Sequence, residues 1–113
     1  MKTKKLKVYE ISEQVSALDK TLGTYNVGTI NNITYGELVE LLGDPTFPRM
    51  SDDEKVQKEW VLEYNGNVFT IYDWKTYSEQ YTMEELTNWN VGGKTSAFDF
   101  IDYIEKKNNV NYE

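Results

Sequence analysis

The stretch Val56 to Lys75, VQKEWVLEYNGNVFTIYDWK, constrains the fold more than any other part of the chain. Two runs of alternating apolar and polar residues flank Asn65-Gly66, a pair suited to a two-residue type I′ hairpin because both turn positions need positive φ. Counting back from that turn pairs Tyr64 with Asn67, Leu62 with Phe69, Trp60 with Ile71 and Lys58 with Asp73 on one face, which reads as the core face. The other face receives Glu63 with Val68, Val61 with Thr70, Glu59 with Tyr72 and Gln57 with Trp74. Aromatic, hydroxyl and carboxylate groups mixed in this way suit a face that meets something polar.

The flanking segments supply what the hairpin must pack against. Leu6, Val8 and Tyr9 alternate with lysines as a short edge strand would. From Ser12, the apolar residues Val15, Leu18 and Leu22, with Ile11 before them, fall at helical spacing, and Gly23 follows as a stop. Tyr25 to Ile33 suits one short strand, or two broken by a turn. Thr34 and Glu37 stand in capping-box spacing and predict a helix from Tyr35 to Leu42, ended by Gly43. Asp44 to Lys55, with Pro45, Pro48 and Arg49, predicts a long loop of the kind that often carries function. Thr82 and Glu85 repeat the capping-box spacing and predict a short helical stretch near Met83 to Leu86. Trp89-Asn90-Val91 predicts a strand that returns beside the hairpin and ends in Gly92-Gly93. Ser96 is placed to cap a helix to about Lys107, with Ala97, Phe100, Ile101 and Ile104 on one face and Lys106 and Lys107 in the last turn. The expectation is a single α+β domain over residues 1–113. Its small antiparallel sheet is built on a central 56–74 hairpin, with helices at about 35–42 and 96–107 packed on one face.

Composition narrows the chemistry. The chain has no histidine and no cysteine. Ser-His and Cys-His nucleophile pairs and ordinary zinc sites are therefore excluded. A net charge of −7 repels long nucleic acid, unless the acidic surface imitates it. With no run of eighteen apolar residues and no signal pattern at the start, the expectation is a chain neither membrane-spanning nor secreted. Nine tyrosines in 113 residues are many, and tyrosine often lines a surface that binds a ring or a partner.

Three places could carry function. Gly92-Gly93-Lys94-Thr95-Ser96 could turn backbone amides and one ammonium towards an anion, although it is not a Walker loop and an ordinary glycine turn with a Ser cap is the simpler reading. Tyr72, Trp74, Tyr77, Tyr81 and Trp89 could stack a base, or be covered by a second layer or subunit. Asp44, Asp52, Asp53 and Glu54 around Arg49 could hold a divalent ion, although a solvated loop is the simpler reading and no EF-hand pattern is present.

Read in order, Tyr35-Gly36-Glu37-Leu38, Leu42-Gly43-Asp44-Pro45, Lys55-Val56 with Glu59-Trp60, Thr70-Ile71-Tyr72-Asp73-Trp74-Lys75 and Trp89-Asn90-Val91-Gly92-Gly93 resemble a family of small acidic proteins of tailed phages. The likeness covers about residues 30–105, most of the chain. The family resembles in turn the phage anti-CBASS sponges, which bind the cyclic dinucleotide signal of a bacterial defence system and withhold it from its effector. That resemblance implies an immune-evasion protein of the host bacterial cytoplasm that is not an enzyme and needs no cofactor or metal. It implies Tyr72, Trp74 and Trp89 for stacking, Lys75, Lys94 and Arg49 for phosphate, and Asn90, Gly92, Gly93 and Thr95 for phosphate or base edges. A twofold-symmetric ligand would be completed by a second copy, so a homodimer is expected. The alternative expectation is an acidic inhibitor that binds a host or defence protein directly, as a DNA mimic would.

Overall fold

Asn65 and Gly66 both take positive φ, 51° and 85°, and close the hairpin in the register that its alternation predicts. The computed structural model describes residues 6–48, 58–73 and 86–111. Within it, β3 (Glu59–Tyr64) pairs with β4 (Asn67–Tyr72) antiparallel, Tyr64 opposite Asn67 through to Glu59 opposite Tyr72. The next rung is also linked, since the Lys58 N–H donates to the Asp73 carboxylate at 2.8 Å.

Three further strands complete an antiparallel sheet. They are β1 (Leu6–Val8), β2 (Tyr25–Ile30) and β5 (Trp89–Gly93), and the strand order is β1-β3-β4-β5-β2. β2 is one strand with a register shift between Asn26 and Gly28 rather than two strands broken by a turn. The outer edge of β3 is covered by three successive pieces. β1 pairs along Leu62 to Tyr64, Tyr9 N–H reaches the Val61 carbonyl at 2.9 Å, and Phe47 exchanges two backbone bonds with Glu59. The buried Thr46 hydroxyl joins these pieces, accepting from Val61 N–H and donating to the Tyr9 carbonyl. The predicted long loop after Gly43 is thus sheet-bound at its start, and its remainder, Arg49 to Lys55, lies outside the described residues.

Two helices lie on the core face. α2 (Tyr35–Leu42) has the predicted reciprocal cap, with the Thr34 hydroxyl accepting from Glu37 N–H and the Glu37 carboxylate accepting from Thr34 N–H. α3 (Phe98–Asn111) begins two residues after Ser96, whose hydroxyl accepts from Phe98 N–H, and runs past Lys107. Leu38 and Leu42 from α2, and Phe100 and Ile104 from α3, bury against Trp60, Leu62, Phe69, Ile71, Trp89 and Val91. Phe69 and Phe100 stack with centroids 4.7 Å apart. Trp60 and Trp89 meet edge to face at 5.6 Å beneath the Tyr35 ring. Each indole N–H is spent on backbone, Trp60 to the Gly43 carbonyl and Trp89 to the Ile33 carbonyl, which lets two polar-tipped rings be buried without an orphaned donor. Leu86 joins this core, whereas the predicted helical stretch before it lies outside the described residues.

The third helix, α1 (Gln14–Thr21), follows a single 3-10 turn at Ile11–Glu13 and packs on the opposite face. Only Ala17 is buried, in a small cluster with Tyr9 and Val61 that Phe47 and Val68 extend. The predicted stripe of Ile11, Val15, Leu18 and Leu22 is therefore real as a stripe but faces outward. Helical spacing shows that apolar side chains share a face; it does not show that the protein covers that face.

Candidate functional site

The outer face of the sheet divides into two halves. α1 and Tyr9 cover the part over Val61, Glu63 and Val68, where the Tyr9 hydroxyl donates to the Glu63 carboxylate. That bond and burial push the Tyr9 hydroxyl up to about 12. The other half lies over the ends of β4, β5 and β2 and presents polar side chains.

Register brings Tyr72 opposite Asn90, and Asn90 opposite Thr29, with Gly92 opposite Thr70 and Asn26. A Cβ at Gly92 would stand 2.6 Å from Thr70 Oγ1 and 3.5 Å from Tyr72 Cε1, so the half-buried Tyr72 ring lies close over Gly92 on the diagonal of the ladder. Asn26 ties the three strands together. Its amide donates to Asn90 Oδ1 at 3.3 Å, its Oδ1 accepts from Gly28 N–H at 3.2 Å, and it hydrogen-bonds the Tyr72 hydroxyl. Burial raises the Tyr72 hydroxyl above its ordinary value, opposed by the bond from Asn26.

Glu59 stands directly opposite Tyr72 on this face. Burial, reinforced by the charge of Asp73, pushes its carboxyl up to about 7. Such a group exchanges its proton near neutrality, and offers a hydrogen-bond donor in one state and an acceptor in the other. Chemically, the half-face presents an aromatic ring, two amide side chains and a neutralisable carboxyl around the buried Thr70. That is a recognition set, able to match the donors and acceptors on the edge of a flat polar ligand. Among the described residues no group of three or more carboxylates is placed to hold a metal ion.

The sequence-derived site residues fall into three groups. Tyr72 and Asn90 are neighbours on this half of the outer face, both partly buried. Trp89 is fully buried with its indole N–H committed, so the expectation that it stacks a ligand is corrected: alternation turns it to the core face, beside Trp60. Gly92 and Gly93 are also corrected. They form no turn, because β5 continues through them between β4 and β2, and the ladder takes up their peptide groups on both edges. Gly93 faces the core instead, where a Cβ would meet the Phe69 ring at 2.9 Å. Lys94 and Thr95 are exposed just beyond β5, with the Lys94 stem passing over Gly23. Lys94 is four residues and Thr95 five residues on from Asn90, roughly 13–17 Å at strand rise, beyond the far end of the face. Arg49, Trp74, Lys75, Tyr77 and Tyr81 lie outside the described residues, as do Asp52, Asp53 and Glu54.

Two contributors were missed. Glu59 was legible, since the hairpin register sets it against Tyr72. Asn26 was not, because only the pairing of β2 with β5, 64 residues away, brings it to Asn90. Comparison of the chain with family models, with curated proteins and with solved structures returns no match.

Proposed function

We propose that this protein is a phage anti-defence protein that binds and withholds a cyclic dinucleotide signal without cleaving it. The ligand would lie on the half of the outer face that carries Tyr72, Asn26 and Asn90. The observation that carries this reading is the network of Tyr72, Asn26 and Asn90 across three strands of the outer face. Tyr72 supplies a ring for one base, worth about 1–3 kcal/mol when a base stacks on it. Asn26, Asn90 and Glu59 supply donors and acceptors for a base edge, and Lys94 with Thr95 supplies a cation and a hydroxyl for phosphate further along β5. The absence of histidine and cysteine from the chain suits binding without turnover.

The test is to incubate the protein with a panel of cyclic nucleotides, remove free ligand by filtration, and heat the retained fraction. Intact nucleotide released on denaturation is the expected result. A cleaved product would make the protein an enzyme, and no retention of any nucleotide would sink the reading.

A second reading, an acidic protein that binds a basic partner, is favoured by one feature. A groove of about 630 Å³ between β1 and the end of α2 has an apolar wall of Val8, Ile11 and Leu42 flanked by Glu10 and Asp44. A cross-linked host protein with no nucleotide retained would move the conclusion there.

A further inference from the structure

The loop that joins β2 to α2 and the last turns of α3 enclose a pocket of about 210 Å³, walled by Asn31, Asn32 and Ile33 from the loop and by Glu105 and Asn108 from the helix. Asn108 is 7% exposed, and its Oδ1, although it borders this space, makes no hydrogen bond among the described residues. A buried acceptor without a donor is rare, because its desolvation is not offset. Glu105 stands three residues earlier on the same side of α3. Its carboxylate accepts from Asn31 N–H at 3.2 Å, and a carboxylate with about four acceptor positions can take further donors. The last turn of α3 contains no basic residue, so the negative end of the helix dipole adds to the charge of Glu105. The pocket therefore presents acceptors and negative potential together.

We infer that this pocket binds a guanidinium group, whose N–H donors bridge Asn108 Oδ1 and the Glu105 carboxylate. A guanidinium is planar and holds its N–H donors in a fixed fork, so one group reaches two acceptors set a helical turn apart. An ammonium is more strongly hydrated and costs more to bring into an enclosed space. A metal ion is a poorer occupant, because Glu105 is the single carboxylate among the described lining residues and hard divalent ions are held by several oxygens of that kind. The volume corresponds to about seven waters at about 30 Å³ each, room for a guanidinium with a short stem. The group belongs either to a small free cation or to an arginine side chain, which share this chemistry. The fold by itself would favour an apolar residue at 108, and a donor for its amide oxygen accounts for asparagine there. This inference does not rest on the proposed nucleotide, because the pocket and the outer-face site share no residue.

The measurement is titration of the full chain with methylguanidinium chloride up to about 20 mM, followed by proton–nitrogen correlation spectra at constant ionic strength. Saturable shifts of the Asn31 and Asn32 amides and of the Asn108 side-chain amide are expected, with a dissociation constant of about 1 mM, the scale for a ligand of a few heavy atoms. Glu105→Gln and Asn108→Leu should each raise that constant at least ~10-fold with the fold retained. Urea, planar but uncharged, and methylammonium, charged but not planar, should each bind at least ~10-fold more weakly. N-acetylarginine amide, titrated alongside, separates the sources. Binding as tight as that of methylguanidinium assigns the pocket to an arginine side chain, and binding of methylguanidinium alone assigns it to a small free cation. Shifts that rise without saturating overturn the proposal. Saturation that survives both substitutions overturns it as well, and equal binding of urea or methylammonium overturns the guanidinium assignment.

Discussion

The ring of Tyr72 lies over Gly92, two residues along the neighbouring strand from its direct partner Asn90, and this contact holds the polar half of the outer face in shape. A glycine in a central strand costs conformational entropy. Here that cost is offset by the ring that fills the space a side chain would take.

Gly92→Ala should therefore do more than reduce chain freedom. The added methyl would come within 2.6 Å of Thr70 Oγ1, on a β-branched side chain with little rotational latitude. A loss of about 1–3 kcal/mol is expected, with displacement of Tyr72. Urea unfolding gives the first, and the shift of the Tyr72 ring resonances gives the second. A variant as stable as the wild type would show that the contact is looser than described.

The pH profile of stability should carry the mark of Glu59. Its folded value is raised to about 7 from an ordinary 4.5, so the folded protein keeps a proton that the unfolded chain gives up between those values. Stability contributed by this group accordingly falls as pH rises from about 4.5 to 7 and levels off above. A shift of this size corresponds to on the order of 3 kcal/mol. Glu59→Gln should flatten this part of the profile and exceed the wild type in urea midpoint at pH 8. A steeper fall in the variant would reverse the assignment.

Trp89→Phe should behave as a core substitution. It leaves the Ile33 carbonyl without its 3.0 Å donor and opens space beside Trp60, for a cost of about 2–4 kcal/mol. Ligand affinity, measured well below the variant's melting temperature, should stay within about twofold of the wild type. A large loss of affinity with stability intact would return Trp89 to the binding site.

A cavity of about 210 Å³ beneath the end of α3 contains a different kind of cost. Asn108 is buried there, and its Oδ1 has no hydrogen-bond partner among the described residues, while Asn31 N–H is taken by Glu105. Asn108→Leu, of similar shape, should raise stability by about 1 kcal/mol because it removes an unsatisfied acceptor. Thermal unfolding at constant pH reads this directly, and a fall in melting temperature would mean that the amide makes a needed bond.

Legibility in the sequence followed the range of the forces involved. The hairpin register, the Thr34–Glu37 cap and the apolar face of α3 rest on interactions a few residues apart, and each was read correctly. The site was less legible because it depends on which face a strand turns and on what covers it. Trp89 and Gly93 turn inward by the period of β5, once its pairing with both β4 and β2 is known. Asn26 joins the site only through that same non-local pairing, and the outward turn of the α1 stripe depends on Ala17 meeting Val61 and Tyr9 across the sheet.

Calorimetric titration of the nucleotide retained in the filtration experiment, into wild type, Tyr72→Ala and Asn90→Ala, tests the central claim most directly. The outer-face site predicts saturable binding at one ligand per site in the wild type. It predicts a dissociation constant at least ~10-fold higher in each variant, equal to about 1.4 kcal/mol, with both variants folded. Affinities unchanged in both variants would place the ligand elsewhere on the protein, and a wild type that binds no nucleotide would contradict the account.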